Sequence, residues 1–383
     1  MKRPTLLAAL TLNALTLGTL TLGSALAGGN EPGPITQQLT LNFGGQATRA
    51  ELLRPAGPGA APLVLLIQGT GPEDLNGTFQ GFGGPVQGSL GTLAQTLARQ
   101  GFAVMRFDKR YAAATFDPAT ARAAQESYAR LTMRDLLADA GAALAAAKEQ
   151  PGVNPRQVFI YGWSEGSVVA AALAQTVGAQ GLIVQGPVVN SFADTFTCQF
   201  ERVGLASLKP YAPDGRIDLK GVVAALYGPG SALAKMQGQF LLAPDSTPQV
   251  PRLNTALDTD RDGRIDLRAE ALPAIRAFYA QGVAQSPLYA PATTLPTLGE
   301  LAPELGLPVL ILQGENDGNI DPADARLLDA ALAAAGNTDH TLKLYPGLGH
   351  SLGPAADITK DEFAPMAGGP MNDMAAWLRA HTR

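Results

Sequence analysis

The feature that most restricts the fold of this sequence is a series of short, predominantly apolar segments separated by segments with helical spacing. Strands that are apolar along their whole length are buried on both faces, which is typical of a parallel sheet covered by helices on both sides. The sequence therefore predicts an α/β protein with a mostly parallel, doubly wound sheet. The predicted strands are residues 63–67, 102–107, 158–161, 182–185, 309–313 and 342–345.

The alternation of strands and helices stops between about residues 190 and 306. This irregular stretch holds two copies of Asp-Gly-Arg-Ile-Asp-Leu, at 214–219 and 262–267. An insertion that begins after one strand and ends before the next leaves the order of the sheet unchanged. We therefore expect one core built from residues 28–190 and 306–383, with a cap or lid domain inserted over residues 191–305.

The first 27 residues have the pattern of a secretory signal. Lys2 and Arg3 precede an uncharged run rich in Leu, Thr and Ala, and small residues at positions 25 and 27 form a cleavage motif. This pattern predicts cleavage after Ala27 and a periplasmic or secreted protein with no membrane span after cleavage. Because Cys198 is the only cysteine, no intrachain disulfide can form in that oxidising environment.

The composition favours a globular protein that acts on a small molecule. Hydrophobic residues make up 46% of the chain and charged residues 16%, which excludes a disordered chain. The net charge of −5 is spread without long runs, which argues against nucleic acid or an anionic membrane surface as the main partner. A small-molecule substrate is the expectation that remains.

The strongest chemical signal is a Gly-x-Ser-x-Gly motif between a predicted strand and a predicted helix. In this context the serine occupies a strained strand-to-helix turn that exposes its Oγ at the N-terminus of the helix. The alternative is a chance Gly/Ser turn, but the strand before it and the helix after it favour a nucleophile. The motif is Gly162-Trp163-Ser164-Glu165-Gly166.

A serine nucleophile needs a general base, and the chain has only three histidines. His350 follows the last predicted strand through a glycine-containing loop, which can return its ring to the carboxyl edge of the sheet. His340 precedes the same strand and would face the opposite edge, and His381 lies two residues before the end of the chain. The chain order of such triads is Ser, acid, His, so His350 is the predicted base.

The acid of the triad should follow the preceding strand. The loop after residues 309–313 offers Glu315 and Asp317, and Asp321 comes four residues later. Asp317 is the predicted acid, and its carboxylate would accept the Nδ1 proton of His350. The alternative for each of these carboxylates is an exposed turn residue.

Two backbone N–H groups are the candidate oxyanion hole. One belongs to Glu165, directly after the serine, and the other to Thr70 in the glycine-rich loop after residues 63–67. Glycines on both sides of Thr70 allow the backbone to approach a carbonyl oxygen. The alternative is a glycine-rich turn without a catalytic role, whereas a phosphate-binding loop is excluded because no Lys-Ser/Thr follows.

Three motifs together resemble those of bacterial exported esterases of the α/β-hydrolase superfamily. The resemblance covers residues from about 39 to 190 and from 306 to 381. It implies an α/β-hydrolase fold, with the cap as an insertion, and hydrolysis of carboxylic esters through an acyl-enzyme without a required cofactor. The motifs are Gly69-Thr70-Gly71-Pro72-Glu73-Asp74, Arg106-Phe107-Asp108-Lys109-Arg110 and Ser164-Glu165-Gly166.

The sequence departs from the pattern of that superfamily branch at two positions. Gln68 stands where a histidine usually precedes the first glycine of the oxyanion loop, and Tyr111 stands where a glycine usually follows Asp-Lys-Arg. Asp108 and Arg110 are expected to form structural ion pairs below the site. Two alternatives to an esterase stay open: a peptidase or thioesterase with the same triad, and a non-catalytic binding protein stabilised by calcium.

A second constellation lies in the predicted cap and resembles an EF-hand calcium loop. Acidic residues occupy positions 1, 3, 5 and 9 of the loop, and a glycine occupies position 6. The bidentate acid belongs at position 12, but Ala269 is there and Glu270 follows one residue late. The sequence leaves open a structural calcium site or a solvated acidic turn. The candidate ligands are Asp258, Asp260, Asp262, Arg264 and Asp266.

Overall fold

A computed structural model describes residues 33–81 and 84–382 of the chain. The predicted secretory signal, residues 1–27, lies outside the described residues. The strands, numbered along the chain, are β1 (Ile35–Phe43), β2 (Gln46–Arg54), β3 (Ala61–Ile67), β4 (Phe79–Gly81), β5 (Gly84–Val86), β6 (Ala103–Phe107), β7 (Val153–Trp163), β8 (Gly181–Gln185), β9 (Arg216–Ile217), β10 (Ile265–Asp266), β11 (Val309–Gly314) and β12 (His340–Tyr345).

In the described part of the chain, one sheet of eight strands has the order β1-β2-β6-β3-β7-β8-β11-β12. The pairs β1–β2 and β2–β6 are antiparallel. All pairs from β6 to β12 are parallel, so the predicted mostly parallel sheet is confirmed. Each of the six predicted strands overlaps one of the strands β3, β6, β7, β8, β11 and β12.

Helices cover the sheet on both faces, and a capping box formed by Thr132 and Asp135 begins the fourth of them. Alternate side chains of β3 pack to opposite sides: Leu63 and Leu65 into one apolar cluster, Val64 into the other. The helices are α1 (Leu90–Arg99), α2 (Ala112–Thr115), α3 (Ala121–Tyr128), α4 (Met133–Lys148), α5 (Glu165–Val177), α6 (Phe192–Gln199), α7 (Leu205–Leu208), α8 (Leu219–Tyr227), α9 (Ala232–Gln239), α10 (Leu272–Gln285), α11 (Leu298–Leu301), α12 (Pro322–Ala334) and α13 (Gly368–His381).

The hairpin of β1 and β2 extends the sheet beyond the predicted strands. Exposed and more buried residues alternate along β1, which pairs only with β2 among the described strands. A uniformly apolar segment is not expected there, because an antiparallel edge strand keeps one face in contact with solvent.

The stretch that looks irregular in the sequence contains helices α6 to α11 and an apolar cluster of its own. This cluster includes Phe200, Val222 and Ile275, whereas Leu288 and Leu298 pack into the main core. The two sequence repeats pair with each other, because β9 and β10 form an antiparallel bridge in which Ile217 lies opposite Ile265.

No helix among residues 33–81 and 84–382 has both the length and the apolar character that crossing a membrane requires.

Candidate active site

Ser164 lies in a strained turn between β7 and α5. Its φ of 55° and ψ of −124° place a non-glycine residue in a sparsely populated backbone region, which costs on the order of 1–3 kcal/mol. Hydrogen bonds hold the turn: the Ser164 N–H donates to the Gln185 carbonyl at 2.8 Å, and the Ser167 hydroxyl donates to the Ser164 carbonyl at 2.6 Å. Among the described residues, none forms a hydrogen bond with the Ser164 Oγ.

The two glycines of the motif are required by close backbone contacts. A Cβ on Gly162 would lie 2.2 Å from the Gly166 carbonyl oxygen, and a Cβ on Gly166 would lie 2.3 Å from the Gln68 carbonyl oxygen. No side chain fits at either position without moving the backbone. The second contact shows that the turn packs directly against the glycine-rich loop after β3.

His350 lies in the loop after β12 and is fully buried. Its backbone carbonyl accepts hydrogen bonds from Trp163 Nε1 at 3.1 Å and from Gln185 Nε2 at 2.9 Å, so the ends of β7 and β8 fix this loop. The imidazole ring packs on the indole of Trp163, with centroids 5.4 Å apart, and edge-on to Phe363. This role of Trp163 is not predicted from the sequence.

Asp317 is buried beside His350, and its Oδ2 lies 2.8 Å from His350 Nδ1. The same oxygen accepts a hydrogen bond from Gln313 at 2.9 Å, and Oδ1 accepts the backbone N–H groups of residues 319 and 320. The other candidate acids lie elsewhere. Glu315 is partly exposed and pairs with an arginine on α12, and Asp321 caps the start of α12.

Of the other two histidines, His340 begins β12 at the amino end of the strand and contacts the Asn337 carbonyl. His381 ends α13 and contacts Asp339. Both therefore differ from His350, the one histidine that pairs with Asp317.

Asp361 also belongs to the site, although nothing in the sequence indicates it. Its Oδ2 accepts the backbone N–H of His350 at 2.7 Å and that of Gly318 at 3.1 Å, so one carboxylate ties the histidine loop to the acid loop. Burial of the ring lowers the pKa of His350, but the carboxylates of Asp317 and Asp361 outweigh this effect and raise the pKa above its usual value of 6.5. Asp361 carries no local motif, so no sequence signal identifies it.

The loop with Thr70 lies beside the serine, since a Cβ on Gly69 would be 3.5 Å from the Ser164 Cβ. Thr70 is exposed and Glu165 is buried. The Glu165 carboxylate accepts hydrogen bonds from Lys109 Nζ at 2.9 Å and from the Tyr289 hydroxyl at 2.5 Å. The glycine-rich loop that contains Thr70 and the residue Glu165 are therefore both adjacent to Ser164.

Glu73 is buried below the same loop, where its Oε2 accepts the backbone N–H of Gly69 at 3.0 Å. Burial raises the pKa of Glu73 to about 8, although the nearby Lys109 opposes the shift. At neutral pH this carboxyl is therefore largely protonated, and it adds little negative charge to the buried group around Lys109.

Gln68 is fully buried and turns away from solvent. Its amide nitrogen donates to the carbonyls of Phe107 and Asp74, which ties the start of the glycine-rich loop to β6. Its Oε1 has no partner among the described residues, and Gln68 is one of the residues that line a cavity of about 10 Å³, the size of one water molecule. The glutamine thus preserves the position of the loop by contacts to the backbone.

The expected ion pairs of Asp108 and Arg110 are confirmed. Asp108 accepts two hydrogen bonds from Arg49, both at 3.1 Å, and Arg110 pairs with Asp139 at 2.7 Å. Tyr111, the second departure from the pattern, has a φ of 67°. This left-handed conformation is the one that glycine adopts most easily, which explains why glycine is usual at this position.

The acidic loop brings three of its candidate ligands together. Asp258, Asp260 and Asp262 place one carboxylate oxygen each within 4.8 Å of one another. Asp266 points elsewhere, because its carboxylate accepts the backbone N–H groups of residues 268 and 269. The side chain of Arg264 forms an ion pair with Asp214 at 2.6 Å.

The first repeat supplies a cation to this acidic loop. Arg216 pairs with Asp260 at 2.6 Å and with Asp262 at 2.7 Å. Glu270, one residue late for the calcium-loop pattern, accepts the backbone N–H groups of Thr259 and Asp266, each at 2.7 Å. The Thr259 hydroxyl also donates to Glu270 at 2.6 Å, and this bond, together with the two backbone bonds, lowers the pKa of Glu270 to about 2. The two repeats therefore form one unit joined by ion pairs in both directions.

The sheet and the Gly-x-Ser-x-Gly turn define an α/β-hydrolase fold. Residues 81–353 match the model of the family described as Hydrolase_4, serine aminopeptidase S33. The chain belongs to this family and is a hydrolase of the α/β-hydrolase superfamily.

Known relatives are distant. Esterase EstD of Thermotoga maritima is 28% identical over 157 residues, which is 40% of this chain and 34% of that protein. A dipeptidyl aminopeptidase IV candidate from Bacteroides ovatus has 13% identity and a TM-score of 0.49, covering 91% of this chain and 36% of that one. Est1E from Butyrivibrio proteoclasticus has 14% identity and a TM-score of 0.44, covering 90% and 98%. The chain thus spans about a third of the length of the first two proteins.

We expect Gly166→Ala to destabilise the protein, because the new Cβ would overlap the Gln68 carbonyl. Overpacking of this kind costs about 1–3 kcal/mol, which thermal unfolding can measure. Gly282→Ala is the matched control, since it also adds a Cβ to a helical glycine but meets nothing within 4 Å. Equal melting temperatures for the two variants would contradict the close contact.

We expect an NMR titration of the three histidines to give His350 a pKa above 6.5, because the carboxylates of Asp317 and Asp361 favour the imidazolium. In Asp317→Asn the pKa of His350 should fall, because Asp361 is then the only carboxylate that opposes the lowering effect of burial. A pKa raised on folding stabilises the folded state below 6.5 and loses this effect as the pH rises through the folded value. An unchanged titration in Asp317→Asn would contradict the pairing.

Proposed function

We propose that this chain is an exported serine carboxylesterase whose triad is Ser164, His350 and Asp317. The observation that carries the proposal is the strained serine turn together with the buried His350–Asp317 pair in the loops after β11 and β12. The three motifs shared with exported esterases and the partial similarity to Esterase EstD support an ester as substrate. The family description makes a peptide the second candidate substrate.

In the proposed reaction, the Ser164 Oγ attacks the ester carbonyl while His350 Nε2 takes its proton. Contacts of this kind often tighten only when substrate is bound, so the Oγ–Nε2 hydrogen bond forms at that step. The N–H groups of Thr70 and Glu165 stabilise the negative oxygen of the tetrahedral intermediate. The intermediate collapses to the acyl-enzyme as His350 returns the proton to the leaving alcohol, and water then releases the acid by the same two steps.

Asp317 keeps the His350 imidazole in the correct tautomer and stabilises the imidazolium that forms during each step. Asp361 holds the two loops at a fixed separation through its bonds to backbone N–H groups. The triad is thus positioned by buried groups of the core. We further propose that residues 191–305 form a cap over this site and that the protein acts in the periplasm or outside the cell.

A structural calcium ion between Asp258, Asp260 and Asp262 is a second proposal. Its support is the convergence of three carboxylates in a loop with the spacing of a calcium site. Calcium would have to replace the pairing of Arg216 with Asp260 and Asp262. The ion would brace the proposed cap and take no part in ester cleavage.

We expect Ser164→Ala to abolish hydrolysis of nitrophenyl esters and to prevent labelling by a fluorophosphonate, with the melting temperature nearly unchanged. Asp317→Asn should reduce kcat by about 10⁴-fold, because His350 then takes the wrong tautomer. Glu315→Gln, in the same loop but partly exposed, is the matched control and should keep normal kcat.

A panel of nitrophenyl esters, aminoacyl amides and thioesters distinguishes the candidate substrates of the proposed triad. Faster turnover of amides or thioesters than of every ester would replace the esterase proposal. Full activity in Ser164→Ala would end the nucleophile assignment, and a large loss in Asp321→Asn instead of Asp317→Asn would move the acid.

We expect millimolar calcium to raise the melting temperature, because an ion that binds only the folded state stabilises it by RT ln(1 + [L]/Kd). Arg216→Gln should strengthen this response by removing the competing cation, whereas Arg264→Gln, which pairs with Asp214, is the matched control. Identical melting curves with calcium and with chelator, for both the native protein and Arg216→Gln, would show that the acidic loop binds no calcium.

A further inference from the structure

Lys109 is a buried lysine outside the proposed triad, with 5% of its side chain exposed. Its Nζ donates to three acceptors: the Gly69 carbonyl, Glu165 Oε1 at 2.9 Å and the Tyr128 hydroxyl at 3.3 Å. An ammonium has three N–H donors, so each of them has a partner in this arrangement. A buried ion pair costs desolvation energy and adds little to stability unless its geometry is this complete.

The contact with Gly69 fixes the direction of the Thr70 N–H. The Gly69 carbonyl and the Thr70 N–H belong to one peptide unit, and the described chain has no cis peptide bond. In a planar trans peptide the C=O and N–H bonds point in opposite directions. Since Lys109 holds the carbonyl toward the core, the Thr70 N–H points away from it, on the side of the loop that faces solvent.

The N–H of Gly69, on the other side of the same residue, is also held by a buried side chain. Glu73 accepts the Gly69 N–H at 3.0 Å, so both backbone polar groups of Gly69 bind buried side chains. Glycine has the widest backbone freedom of all residues, and a loop built from it needs such contacts to keep one conformation. The orientation of the Thr70 N–H is therefore set by the side chains below the loop.

The same ammonium binds the residue that carries the second candidate donor. Glu165 contributes its backbone N–H beside Ser164, and its side chain is fully buried against Lys109. The Tyr289 hydroxyl, from the segment after α10, donates to the other oxygen of Glu165. One buried group of contacts therefore connects both N–H groups.

We propose that Lys109 is a positioning residue for the oxyanion hole: it orients the Thr70 N–H through the Gly69 carbonyl and holds Glu165 through an ion pair. The inference rests on the proposed serine hydrolase function. Hydrogen bonding to a cation also polarises the Gly69–Thr70 peptide, which makes the N–H a stronger donor. The hydrogen bonds of Lys109 Nζ go to Gly69, Tyr128 and Glu165, so its proposed role is positioning and not reaction with substrate.

The test compares ordinary esters with the matching thionoesters, in which sulfur replaces the carbonyl oxygen. Sulfur is a weak hydrogen-bond acceptor, so a thionoester gains little from an oxyanion hole. In Lys109→Met we expect kcat for the ester to fall by about 10²-fold, similar to the loss of one oxyanion donor, with KM changed less than about twofold. The thionoester rate should fall much less, so the ratio of the ester rate to the thionoester rate should decrease.

Arg110→Met is the matched control, because it breaks a neighbouring buried ion pair with Asp139 that does not contact the oxyanion loop. It should keep the rate ratio of the native protein even if it lowers the melting temperature. Glu165→Gln is the second variant if Lys109→Met does not fold. Glu165→Gln retains the backbone N–H but removes the charge that pairs with Lys109. The ratio of the ester rate to the thionoester rate should therefore decrease by less than in Lys109→Met.

Equal losses for esters and thionoesters in Lys109→Met, or in Glu165→Gln where the first variant does not fold, would overturn the inference, since they indicate general structural damage. An unchanged kcat would overturn it as well. A native protein that hydrolyses no ester, amide or thioester would overturn the proposed function first and the inference with it. An active native protein with an unchanged ratio in the variants would overturn the inference alone.

Discussion

The strained backbone of Ser164 is the constraint on which the rest of the site depends. A residue with a φ of 55° persists only where its surroundings hold it in place. Here the Ser164 N–H binds the end of β8, and the Ser167 hydroxyl both donates to the Ser164 carbonyl and accepts the Val188 N–H. The sheet therefore fixes the serine, and the loops around it are positioned relative to that fixed point.

Those loops are connected to one another by single buried polar groups. Trp163 and Gln185 both bind the carbonyl of His350, and Asp361 binds the N–H of the same residue and that of Gly318. Such contacts are strong in a dry interior, where an unmade hydrogen bond is costly. The histidine loop can thus move only if several buried groups lose their partners together.

The sequence predicts well those features that are encoded locally. The six strands and the strained turn at Ser164 follow from short patterns, and the structure contains them. The position of His350 after the last strand separates it from His340, which is the first residue of that strand.

Features that depend on residues distant in the sequence could not be predicted in the same way. Asp361 acts through backbone N–H groups, and no pattern marks such a residue in a single sequence. Lys109 stands within a recognised motif, but its carbonyl partner lies 40 residues earlier. The reciprocal ion pairs of the two repeats likewise require the fold to bring Arg216 and Asp262 together.

The buried charges around the site limit which of its residues can be replaced without loss of stability. Lys109 and Glu165 form an ion pair that is almost completely removed from solvent, so replacing one partner leaves the other without compensation. Glu73 lies beside the pair, and its pKa of about 8 means that it ionises only in alkaline solution. Its folded pKa exceeds the unfolded value of 4.5, so the unfolded chain releases this proton first. Its contribution to stability therefore declines as the pH rises from about 4.5 to about 8. The group of contacts that holds the glycine-rich loop is thus most stable while Glu73 is protonated and Lys109 has Glu165 as its one charged partner.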